Sequence, residues 1–70
     1  MRLSGSNNSY LDEIAAKINA ADSASDYSAK GYLREAQALL RDYGSKLTSS
    51  EINMCEAEID RIADERNIDL

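Results

Sequence analysis

Glu56, Asp60 and Asp64 follow one another at intervals of four residues, the spacing that lines three carboxylates up along one face of a helix. Such a row could do acid/base chemistry, hold a hard divalent cation, or meet a basic surface on another macromolecule. The first option needs a concave, water-poor site that drives two acids apart in pKa, and short helices wall off such a site poorly. The chain has no histidine, so it lacks the commonest general base and every serine–histidine, cysteine–histidine or histidine–metal arrangement. No EF-hand spacing is present, and Gly5, Gly31 and Gly44 lie too far apart to cradle a phosphate. We therefore expect no enzyme, no cofactor and no built metal site. Two readings of the row remain. It is a solvated face that keeps a small protein in solution, or it meets a basic groove on a partner, where it would raise the association rate and impose salt dependence. If that groove normally holds nucleic acid, the row acts as a phosphate mimic. Direct binding of DNA or RNA is not expected, because the lysines and arginines are scattered and phosphate neutralisation needs them clustered.

A second group of side chains suits contact rather than chemistry. Tyr32, Leu39 and Tyr43 widen the apolar side of one helical stretch beyond what a monomeric bundle needs, which marks them as candidate apolar contacts beside the polar Glu56, Asp60 and Asp64. Taken singly, each of the four tyrosines, Tyr10, Tyr27, Tyr32 and Tyr43, suits a core margin, with its ring buried and its hydroxyl at the wet rim. Cys55 lies between Ile52 and Ile59 and reads as a small buried hydrophobe. Met54 fits the edge of the core better than a contact surface.

These side chains must be positioned by helices. The chain holds 70 residues, 43% of them apolar and 30% charged, with no proline, phenylalanine, tryptophan, valine or histidine. Ten alanines and a single threonine, Thr48, leave a sheet without its usual material, so an all-α chain is expected. One small domain fits this length. A lone cysteine closes no internal disulfide, and no run is apolar and long enough to cross a bilayer, which together point to a reducing cytosol. Met1–Asn8 reads as a flexible polar lead-in without the apolar region of a signal peptide.

Three helices are predicted, over about 10–21, 26–43 and 49–66, from the 3.6-residue period of their apolar positions. In the first, Ser9 and Asp12 form a cap pattern, Leu11, Ile14, Ala15 and Ile18 share a face, and Glu13 and Lys17 are spaced to pair. Ser25 or Asp26 caps the second, whose stripe is Ala29, Leu33, Ala36, Leu40 and Tyr43, with Gly44 as a left-handed C-cap. Gly31 inside it marks either a close backbone approach or a frayed first turn. The third has the sharpest start: Thr48 and Glu51 make a capping box, and Leu47 and Ile52 a hydrophobic staple. Its buried face is Ile52, Cys55, Ile59, Ile62 and Ala63. Asn67 weakens the end, so the last three residues are expected to fray. The predicted architecture is an up-down-up three-helix bundle, with a helical hairpin dimerising into a four-helix bundle as the alternative.

The charge divides unevenly. Residues 1–46 carry as many acids as bases, so residues 47–70, with seven acids against Arg61 and Arg66, hold the whole net charge of −5. Glu58–Arg61 and Arg61–Glu65 are spaced to offset part of the repulsion within the row.

Two local resemblances occur. Leu47-Thr48 through Ile52-Asn53-Met54, then Ala57 and Arg61, resembles a helix of the small enterobacterial haemolysin-expression-modulator family. Tyr10-Leu11-Asp12-Glu13-Ile14 resembles the first helix of some secretion-needle subunits. Each covers a short amphipathic stretch and the two imply incompatible families, so neither is carried over to this chain. The expected function is that of a small acidic helical module that binds a partner protein as an inhibitor, adaptor or chaperone-like subunit, of the size and charge common among phage and mobile-element accessory factors. A structural homo-oligomer is the alternative, because so small a core without metal or disulfide gains stability from association.

Overall fold

The computed structural model describes residues 9–70, so the predicted lead-in over 1–8 lies outside the described residues. Three α-helices, α1 (Ser9–Ser23), α2 (Asp26–Asp42) and α3 (Ser49–Glu65), form a small all-α bundle, with a 3-10 turn at Gly44–Lys46 between the second and third. No strand occurs among the described residues.

The apolar periodicity places the core as expected. Leu11, Ile14, Ala15 and Ile18 of α1, Ala29, Leu33, Ala36 and Leu40 of α2, and Cys55, Ile59 and Ile62 of α3 are all buried, with Ala21 added at the end of α1. Ile52 and Ala63 pack against this core from its margin. No polar side chain among the described residues is buried, so the interior carries no desolvation penalty for an unpaired group.

The helix ends explain the boundaries. Ser9 is already helical, so it is not the predicted cap, and the position before it lies outside the described residues. At the other end α1 runs two residues beyond the expected stop at residue 21. There the Ser23 hydroxyl folds back to the Asn19 and Ala20 carbonyls, 3.4 Å from each, a local bond that satisfies the last turn instead of breaking it. Between the two predicted caps of α2, Ser25 takes the position, with extended backbone and no side-chain cap bond; Asp26 places its charge in the first turn, where the helix dipole favours it.

Gly44 is not a left-handed cap. Tyr43 ends α2, and Lys46 N–H to Tyr43 O at 2.8 Å and Leu47 N–H to Gly44 O at 3.3 Å continue the chain as a 3-10 turn that satisfies carbonyls left over by the helix. The left-handed residue is Asn67, at φ 54°. It closes α3 in a Schellman motif, with Ile68 N–H donating to Ala63 O at 2.8 Å and Asn67 N–H to Asp64 O at 3.3 Å. Ile68 and Leu70 consequently turn back onto the core instead of fraying. Gly31 sits in unbroken helix with open space where a side chain would stand, so neither close backbone approach nor fraying explains it.

The predicted start of α3 is present in full. Glu51 N–H donates to Thr48 Oγ1 at 3.1 Å and Thr48 N–H to Glu51 Oε1 at 2.8 Å, and Leu47 and Ile52 both pack on the core. The seam between α1 and α2 is the most extensive of the three, and α3 packs less extensively against either.

Candidate functional site

The six candidate contact residues divide between two seams. Tyr32 and Tyr43 are half-buried and turn toward α1. The Lys17 ammonium lies 5.9 Å from the centre of the Tyr32 ring, and Tyr43 meets Tyr10 edge-to-face with ring centroids 4.7 Å apart. Leu39, four residues before Tyr43, belongs to the same stripe and packs against the core. The extra apolar width of α2 is thus covered by α1 at Tyr32 and Tyr43. Glu13 also serves this seam: its carboxylate, with burial, raises the Tyr43 phenol above its ordinary pKa. Lys17 bonds Glu35 Oε1 across the seam at 3.4 Å, so the predicted Glu13–Lys17 pair is not made.

Glu56, Asp60 and Asp64 lie on the other side, exposed and without an ion pair to any described residue. Glu56 and Asp60 form one wall of a groove of about 390 Å³ between α2 and α3. Gln37 and Arg41 form the other wall, and Leu40 and Ile59 lie at its base. The structure therefore brings the first two acids together with Arg41 and does not join them to Tyr32, Leu39 or Tyr43.

Arg61 of α3 and Arg66 at its C-cap are used inside the molecule. Arg61 is held by Glu58, through Nε at 2.8 Å and through Nη2, and by Glu65 Oε2 at 2.7 Å, as the spacing predicts. It also lies 3.8 Å from Asp22 of α1. Arg66 donates to the carbonyls of Asp22 and Ala24 and lies 3.7 Å from Asp26. It thereby closes the end of α1, whose last turn has no basic residue of its own. Both cations point away from Glu56, Asp60 and Asp64, which leaves that row uncompensated by its own helix.

Sequence reasoning missed a basic row on α2. Lys30 and Arg34 stand eleven and seven residues before Arg41, close to whole helical turns, so the three share one line along α2. All are exposed. Lys30 and Arg34 make no ion pair with a described residue, and Arg41 lies 3.6 Å from its neighbour Asp42. Along the linear sequence these residues are scattered; their helical spacing is the signal that aligns them.

Two other expectations are corrected. Tyr27 is 93% exposed and Met54 44% exposed, so neither is at a core margin: Tyr27 lies in the first turn of α2, before its buried stripe begins, and Met54 is turned about 100° from Cys55. Cys55 is fully buried, and burial, aided by the Glu51 and Glu56 carboxylates, raises its thiol pKa, in keeping with its packing as a small hydrophobe. No group of three or more metal-ligating side chains occurs among the described residues, and none of their helices is long and apolar enough to cross a membrane. Set against models of protein families, curated proteins and solved structures, the chain has no match, and its functional reading rests on its own residues.

Proposed function

We propose that this chain is a small protein-interaction module that acts by contact through the face shared by α2 and α3, and not by catalysis. Inhibitor, adaptor or chaperone-like subunit are the roles such contact serves, in a reducing cytosol where the buried thiol of Cys55 stays free. The observation that carries this reading is the exposed, unpaired row Glu56, Asp60 and Asp64 beside a groove, on a helix whose own arginines are committed elsewhere. Like charges at this spacing cost a few tenths of a kcal/mol per pair, and an opposing cationic surface would offset that cost. The basic row of α2 on the same face argues against mimicry of nucleic acid, which calls for a surface of one sign.

The test compares the chain as bait with its Glu56→Gln, Asp60→Asn, Asp64→Asn triple variant, after circular dichroism has shown equal helicity. A host protein retained by the parent, released by salt and lost from the variant supports the reading. Equal retention by both chains would remove the acidic row from it.

A further inference from the structure

The face shared by α2 and α3 carries two rows of opposite sign, Lys30, Arg34 and Arg41 on one helix and Glu56, Asp60 and Asp64 on the other, divided by the groove over Leu40 and Ile59. No ion pair crosses that groove among the described residues. Such a face is complementary to itself. We infer that its occupant is a second copy of this chain, in a two-fold dimer that lays α2 of each protomer over α3 of the other; this deepens the reading of the face as a contact surface, and rests on it.

Symmetry decides the arrangement. A two-fold contact uses the same patch on both protomers, so each pairing occurs twice. With the axis along the groove, the basic row of one protomer meets the acidic row of its partner on both sides. With the axis across the groove, like rows would face each other and repel. Only the first sets unlike charges opposite each other, and it places four helices, two from each protomer, around a shared centre. Charge, and not apolar area, specifies the contact, because Leu40 and Ile59 are already 6% and 1% exposed within the monomer. The dimer is therefore weak and salt-sensitive.

Sedimentation equilibrium of the full chain at about 0.01 M and about 1 M salt, where the screening length falls from ~30 Å to ~3 Å, should read a mass approaching twice 7.7 kDa at low salt and one chain at high salt. Two reversal variants extend the test. Lys30→Glu, Arg34→Glu, Arg41→Glu and Glu56→Lys, Asp60→Lys, Asp64→Lys should each be monomeric alone and should form a mixed dimer when combined, a rescue that misfolding cannot imitate. A monomeric parent at low salt overturns the inference, as does a dimer that neither variant disrupts or a combination that fails to associate. If the parent is monomeric and yet loses a host partner on neutralisation of the acidic row, the dimer fails while the contact reading stands.

Discussion

Asn67 illustrates what a single residue can conceal in a linear reading. As a poor helix former it suggests fraying, but its tolerance of the left-handed region makes it the residue, after glycine, best suited to close α3 at φ 54°. Asn67→Gly should raise stability by a few tenths of a kcal/mol and Asn67→Ala should lower it by about 1 kcal/mol, because a Cβ without a local polar partner is strained there. Urea titration measures both; equal midpoints for the two variants would contradict the left-handed assignment. Tyr43 gives a prediction about pH. Its hydroxyl, under the influence of the Glu13 carboxylate, holds its proton more tightly in the folded chain than at its ordinary pKa of 10.0. That contribution is complete below the ordinary value and is lost as pH rises through the folded one. The thermal midpoint should accordingly fall above about pH 10, the range set by a tyrosine's ordinary pKa, and Glu13→Gln should flatten the fall that Tyr43 contributes. An unchanged alkaline slope in that variant would exclude the Glu13 carboxylate as the cause. Solvent position is less legible than backbone preference: Tyr27 and Met54 have apolar character but stand exposed, since nothing about a tyrosine or methionine alone says which way its turn of helix faces.

At the scale of elements, the features that could be read in advance are those settled within a few residues. The capping box at Thr48 and Glu51 and the staple at Leu47 and Ile52 need only their own turn, and the buried stripes follow from helical period. The ends that depend on tertiary neighbours were not legible. Arg66 bonds carbonyls more than forty residues away, and no local pattern announces a cap supplied by another helix. The same division separates the candidate contacts: the acidic row of α3 could be read from its spacing, whereas the seam that covers Tyr32 and Tyr43 depends on where α1 packs. Two substitutions test the local account. Thr48→Ala should cost about 1 kcal/mol through the lost cap, and Gly31→Ala should gain about 1 kcal/mol, since the position is helical with room for a side chain. A loss of stability on Gly31→Ala would show that the glycine serves a contact.

For the molecule as a whole, the unequal seams predict unequal stability. The pairing of α1 with α2 is the most extensive contact, and the tyrosines and Lys17 reinforce it. Helix α3 is joined to the other two by smaller seams and is held at its far end by Arg66 and Arg61 against the turn between α1 and α2. Because local opening follows the density of buried contacts, the amides of α3 should exchange through an opening of lower free energy than those buried in α1 and α2. Hydrogen bonds to a charged group contribute about 1.5–3 kcal/mol, so Arg66→Ala should widen the gap by weakening the attachment of α3 before it affects the α1–α2 pair. Native-state hydrogen exchange under increasing urea resolves the two openings. If all three helices merged into one opening in the parent and in Arg66→Ala alike, the bundle would be a single cooperative unit and Arg66 would hold nothing that the core does not already hold. A separable α3 would instead couple stability to contact: a second chain bound across α2 and α3 should protect the α3 amides most, and that protection should grow with protein concentration and vanish in high salt.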